Sequence, residues 1–162
     1  MKLYFVRHGR TEWNEEGRFQ GANGDSPLLP SSIQQIKKLG HALSSIRFDA
    51  VFSSDLKRAV DTTQLIMDQN QFPLHLKKSP ELREWSLGQL EGCKIDTIRA
   101  KYPQEMEAFR HDLSQFHHDL FDAESLSDTT KRTCDFVKSL KEKKFDTVLI
   151  VGHGANLTAS IR

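Results

Sequence analysis

Cysteine is scarce in this chain of 162 residues: Cys93 and Cys134 are the only two, far apart and without CxxC spacing. That excludes a disulfide framework and a cysteine-built zinc site, and the pair reads as reduced thiols. Charge of one sign is missing too. The 23 Lys and Arg nearly cancel the 22 Asp and Glu, leaving a formal net charge of +1. A broad electrostatic footprint for nucleic acid or a membrane surface is thereby excluded, so an anion site has to be built locally. No apolar run approaches the roughly 20 residues of a membrane span. The start, Met1-Lys2-Leu3-Tyr4, enters a strand-like run without the pattern of a signal peptide. A soluble cytoplasmic protein is expected. No repeat, linker or low-complexity tract divides the chain, so residues 1–162 read as one domain. HExxH is absent, and the His and Asp residues at 111, 112, 117, 118, 119 and 122 lack metal-ligand spacing. No metal and no cofactor is expected.

What the chain does have is 37% hydrophobic residues, enough for a core without staples, arranged in alternating strand-like and helix-like periods. Strands are expected at 2–8, 50–54, 74–78 and 147–152. A helix over about 32–45 carries Ile33, Ile36, Leu39, Leu43 and Ile46 at spacings of three and four, entered through Pro30 and Ser31. A second over 56–68 presents Ala59, Val60, Thr63, Ile66 and Met67. A third starts at Ser125, which has capping-box spacing to Asp128, runs through Leu140 and ends in a lysine-rich run. Segment 12–30, with Gly17, Gly21 and Gly24, reads as a functional surface loop. Segment 94–122, polar with a short helix near 95–102, reads as a lid. Alternation of this kind predicts an α/β fold, a three-layer α/β/α sandwich with a mostly parallel sheet.

Two of the expected strands end alike. Leu3-Tyr4-Phe5-Val6 runs into Arg7-His8-Gly9, and Thr147-Val148-Leu149-Ile150 runs into Val151-Gly152-His153-Gly154. Carboxyl ends of parallel strands are where ligands bind in such sheets, so the two histidines are expected in one crevice. Ser53-Ser54-Asp55-Leu56-Lys57-Arg58 follows the second strand, and Leu82-Arg83-Glu84-Trp85 follows the third.

With these four segments in this order, the chain resembles the histidine phosphatase superfamily, the group of cofactor-dependent phosphoglycerate mutases and many phosphatases. The resemblance spans nearly the whole chain. It implies the phosphoglycerate mutase-like sandwich and contacts to a substrate phosphate from residues matching Asn14, Gln20 and Gly154.

The chemistry argues the same way from the residues. Transfer of a phosphoryl group needs an in-line nucleophile and fixed positive charge around the equatorial oxygens. Arg7, Arg58 and a protonated His153 are expected to supply that charge. His8, as neutral imidazole, is the expected nucleophile, forming a phosphohistidine. Glu84 is the expected general acid for the leaving alkoxide and then the base for water, with its pKa raised. Arg83 reads as solvated or as an anchor of the lid.

Some positions depart from the family pattern. Arg10 stands where relatives are often acidic or carry an amide, Ser32 and Ala155 where glycine is common. The chain stops at Ile161-Arg162 inside an expected helix, so its carboxyl-terminal end is expected to be incomplete. The stretch between Glu84 and His153 is short and polar, as in compact phosphatases. A phosphomonoester phosphatase acting on a small phosphorylated metabolite is therefore expected. The alternatives are a phosphoglycerate mutase and a non-catalytic phospholigand-binding or regulatory domain.

Overall fold

A computed structural model of the chain describes residues 1–161. The expectation about the end at Arg162 lies outside the described residues. Four strands, β1 (Lys2–Arg7), β2 (Ala50–Ser54), β3 (Lys77–Ser79) and β4 (Thr147–Gly152), form one all-parallel sheet in the order β1-β4-β2-β3. Parallel neighbours require long crossovers, and helices supply them. The helices are α1 (Glu12–Glu15), α2 (Pro30–Ala42), α3 (Lys57–Met67), α4 (Ile95–Lys101), α5 (Pro103–His111), α6 (Leu126–Leu140) and α7 (Gly154–Ile161).

The period-2 alternation of β4 sorts the layers. Leu149 and Val151 pack with Ile36 of α2 and with Ala59, Ile66 and Met67 of α3. Val148 and Ile150 point the other way, onto Leu82 and onto Phe136, Val137 and Leu140 around α6. With both faces covered, residues 148–152 are all buried, which is why they read as a continuous apolar run. The result is the expected α/β/α sandwich. Ser125 caps α6 as the spacing predicts, its side chain accepting from Asp128 N at 3.0 Å.

Two elements depart from expectation. The face that α2 buries is Ser32, Ile36 and Gly40, while Leu39 is exposed. Small residues explain the offset: a Cβ on Gly40 would lie 3.1 Å from Ile66 Cα, so α2 and α3 approach through Gly40 and not through the most apolar stripe. Strand β3 is shorter and later than expected. It pairs with β2 only at 77–79, and the alternation of Leu74 and Leu76 brings Leu76 alone against the core.

The two irregular segments pack on each other. Phe19, Trp85, Leu87, Leu90, Met106, Phe116 and Phe121 form a third apolar cluster, away from the sheet. Segment 94–122 is thus polar outside and aromatic inside, folded as α4, α5 and two 3₁₀ turns.

Candidate active site

Strand register brings the two histidines to one level. Arg7 of β1 pairs with Gly152 of β4, so the next residues, His8 and His153, leave the sheet side by side with ring centroids 5.2 Å apart. His8 Nδ1 lies 2.6 Å from the carbonyl of Gly9. A carbonyl oxygen only accepts, so Nδ1 carries the proton and the lone pair sits on Nε2. Burial, the guanidinium of Arg58 and that of Arg7 push the His8 pKa down to about 4, against the opposing pull of the Gly9 hydrogen bond. The ring is therefore neutral at physiological pH.

His153 is fully buried, with Nε2 2.7 Å from Ser54 Oγ and, among the described residues, no partner for Nδ1. Burial, then Arg58 and His8, hold its pKa well below the ordinary value. This histidine is neutral as the site stands, unlike the imidazolium expected from the sequence: burial first, and the neighbouring cations after it, disfavour the protonated ring.

Arg58, on the first turn of α3, is 1% exposed. Its fork is held by the 17–30 loop: Nη1 donates to Gly24 O at 2.6 Å and to Asp25 Oδ1 at 3.2 Å, and Nη2 to Gly21 O at 2.9 Å. Nε has no partner among the described residues. Asp25 also accepts from the backbone N–H groups of Lys57 and Arg58, fixing loop to helix. Arg7 is exposed, and Gly154 packs on it so closely that a Cβ there would lie 3.0 Å from Arg7 Nε.

Glu84 is 7% exposed. Its carboxylate accepts from Trp85 N at 2.9 Å, Asn156 N at 2.8 Å and Ala155 N at 3.2 Å, the last two on the first turn of α7. Burial nonetheless dominates and raises its pKa, against those three hydrogen bonds and Arg58.

The other expected residues are placed less directly. Asn14 Oδ1 accepts from Thr11 N and Thr11 Oγ1 in a capping box. Gln20 donates to Thr11 Oγ1 and accepts from the N–H and hydroxyl of Ser26, so both amides brace the loop. Arg83 makes a two-pronged ion pair with Asp55, both bonds 2.7 Å. Several residues went unread in the sequence: Ser54 behind His153; Asp25 behind Arg58; Thr62, which accepts from Gly9 N at 3.0 Å; and Glu91, which accepts from the N–H groups of Gly21, Asn23 and Leu87. The signal for Ser54 was its place at the end of β2; Thr62 and Glu91 gave none.

A cleft of about 940 Å³ opens beside these groups, lined by Arg7, Gln20, Glu84 and Gly154 at one side. Phe19, Trp85 and Phe109 also line it, and Arg110 to Ser114, at the end of α5 and just past it, form a largely exposed wall. Of these groups Arg7 and Glu84 line the cleft, while the buried His8, His153 and Arg58 are not among its lining residues but lie close enough to shift one another's pKa. Two neutral histidines, two arginines and a buried carboxyl have the chemistry to bind a dianion, attack it through nitrogen and move a proton.

Comparison with known proteins places the whole chain in a family. The family model described as the histidine phosphatase superfamily (branch 1) matches residues 3–162. Phosphoserine phosphatase 1 of Hydrogenobacter thermophilus is 30% identical over 161 residues, covering 98% of this chain and 74% of its own. The 2,3-bisphosphoglycerate-dependent phosphoglycerate mutase of Cytophaga hutchinsonii is 31% identical, covering 97% and 74%. Among solved structures, a mycobacterial glucosyl-3-phosphoglycerate phosphatase in complex with VO3 superposes with a TM-score of 0.86 at 28% identity, over 97% of this chain and 78% of that one.

Proposed function

This chain belongs to the histidine phosphatase superfamily, branch 1, and from that premise we propose that it is a phosphomonoester phosphatase using a phosphohistidine on His8. The observation that carries the reading is the tautomer of His8. With the proton on Nδ1 bound to Gly9 O and the pKa at about 4, Nε2 offers a lone pair at neutral pH. In the first step Nε2 attacks phosphorus as the ester P–O bond breaks, and protonated Glu84 gives its proton to the leaving alkoxide. In the second, ionised Glu84 takes a proton from water, the hydroxide oxygen bonds to phosphorus, and the N–P bond breaks to restore His8.

Arg7 and Arg58 supply positive charge for the phosphoryl oxygens, with the unpartnered Nε of Arg58 available to them. His153, through Nδ1, serves the same group, and a bound dianion is the charge that would restore its proton. Asn14, Gln20 and Gly154 shape the phosphate end through the loop and through Arg7. Two guanidiniums, that of Arg58 held by the loop, can carry the charge stabilisation that a metal supplies elsewhere, which supports a metal-independent reaction.

The substrate is a small phosphorylated metabolite, its non-phosphate part lying in the cleft against segment 94–122, which serves as wall and lid. The near-neutral charge fits such a substrate better than nucleic acid, and the two unpaired cysteines fit a reducing cytoplasm.

The test is phosphate release from a panel of phosphomonoesters, with and without a chelator, beside His8→Ala and an isomerisation assay on phosphoglycerates. Release that persists with chelator and disappears in His8→Ala, with no phosphoenzyme trapped from the variant, is the expected result. Isomerisation without release would make the chain a mutase, and retained turnover in His8→Ala would remove the nucleophile assignment.

A further inference from the structure

One half-buried polar cluster has no part in the two chemical steps. Arg132, in the second turn of α6, makes five hydrogen bonds, three to the turn that carries Glu84 and two to Glu124. Nη1 donates to Glu81 O at 2.9 Å and to Arg83 O at 2.7 Å, Nη2 to Glu84 O at 2.9 Å and Glu124 Oε2 at 3.0 Å, and Nε to Glu124 Oε1 at 2.8 Å. Glu124 closes the other side of the same turn. Its Oε2 accepts from Ser86 N at 3.1 Å, its own N–H donates to Ser86 O at 2.8 Å, and its carbonyl accepts from the indole N–H of Trp85.

Four backbone anchors, at 81, 83, 84 and 86, are thereby held by one ion pair, and none of the pair's hydrogen bonds goes to Glu84's carboxylate. The carboxylate is held from the opposite side by the first turn of α7, where Asn156 donates its N–H to Oε1 and its side-chain Nδ2 to Arg83 O at 2.6 Å. Thr133, next to Arg132, donates to Asn156 Oδ1 at 2.8 Å and so ties the two halves together.

We propose that Arg132, paired with Glu124, is a positioning residue that fixes the Glu84 turn so that its carboxyl meets the leaving oxygen. The inference rests on the proposed role of Glu84. A fork with every donor used is stiff: moving the turn leaves half-buried N–H and C=O groups unpaired, which is costly. Proton transfer tolerates little misplacement, since a shift of about 1 Å at a reacting group can cost about a hundredfold in rate. Anchoring α6 to the sheet does not need this arginine, because Phe136, Val137 and Leu140 already do so.

The effect separates from a general loss of fold by leaving group. An alkyl phosphate leaves as a poor leaving group and needs the proton, whereas p-nitrophenyl phosphate does not. Arg132→Lys keeps the charge and loses the fork. Its kcat is expected to fall about tenfold or more on an alkyl phosphate and about threefold or less on p-nitrophenyl phosphate. KM should stay near wild type, and a thermal midpoint lowered by the lost hydrogen bonds leaves the alkyl-to-aryl ratio as the readout. The same alkyl-to-aryl comparison on Glu84→Gln is run beside it.

If Glu84→Gln shifts the ratio and Arg132→Lys does not, the positioning role is overturned while the acid assignment stands. If Glu84→Gln leaves the ratio unchanged, the acid assignment itself falls, and this inference with it. Equal losses on both substrates with a lowered midpoint would make Arg132 a structural residue only. Glu124→Gln, which keeps shape and loses charge, carries the same comparison if Arg132→Lys does not fold.

Discussion

At the scale of single residues, burial and chemistry are coupled through His8. Its pKa of about 4, against an unfolded value near 6.5, means the folded protein resists a proton that the unfolded chain accepts. Between those two pH values the unfolded state binds more protons, so stability falls as pH drops from 6.5 toward 4. The difference is worth about 3 kcal/mol over that window. Buried His153, lowered by the same surroundings, adds loss of the same sign. Replacing His8 with Gln keeps a donor for Gly9 O and removes the titration. In urea unfolding across a pH series, His8→Gln is expected to gain on the wild type by about 3 kcal/mol between pH 6.5 and 4. A gap that does not vary with pH would mean the ring is not desolvated in the folded protein.

At the scale of elements, the 17–30 loop shows how little slack surrounds the arginine it holds. Gly21 offers its carbonyl to Arg58 Nη2 and its N–H to Glu91. A Cβ there would fall 2.3 Å from the carbonyl oxygen of Trp85, a backbone atom that cannot swing aside. Gly21→Ala therefore has to move the loop and loosen Arg58, although position 21 touches no substrate. The expected outcome is a loss of about 1–3 kcal/mol of stability and about a tenfold or greater loss of affinity for inorganic phosphate as inhibitor. Lost stability with unchanged inhibition would separate the loop from the arginine.

Much at this scale is legible in the order of the amino acids. The ends of β1, β2 and β4 and the cap of α6 lie where apolar runs meet glycine, serine and a capping spacing, and the geometry follows directly from these. Arg58 is legible for the same reason, one turn past a strand end. What supports it is not, because its partners are backbone carbonyls of Gly21 and Gly24, and a carbonyl has no signature in a sequence. The cluster of Phe109, Phe116 and Phe121 is hidden in a similar way. Its residues are carried by α5, by the link between two 3₁₀ turns and by the second of those turns, so no single period of 3.6 or 2 runs through them. The Arg132 and Glu124 pair spans 8 residues of chain, yet it acts on Glu84, 48 residues before Arg132. Periodicity says nothing about a partner at that distance.

At the scale of the whole molecule, the question is where the phosphoryl group goes after His8 has taken it. A phosphohistidine that persists needs a site closed to water until a second alcohol is in place. Here the cleft is about 940 Å³, several times the volume of a phosphate, and Arg110, His111, Asp112 and Ser114 of its wall are exposed. Glu84 lines this cleft, so water held in it meets the proposed base. The proposed base and its water are then always at hand, whereas an acceptor alcohol has to compete for the same space. Turnover in ¹⁸O-labelled water, with an alcohol acceptor present in excess over substrate, discriminates the two fates. Nearly all released phosphate is expected to carry one labelled oxygen from solvent, with little phosphoryl group found on the acceptor, and the release rate is expected to be insensitive to acceptor concentration. Transfer that rises with acceptor while label stays out of phosphate would require segment 94–122 to close over His8 during turnover, and the chain would then act as a mutase.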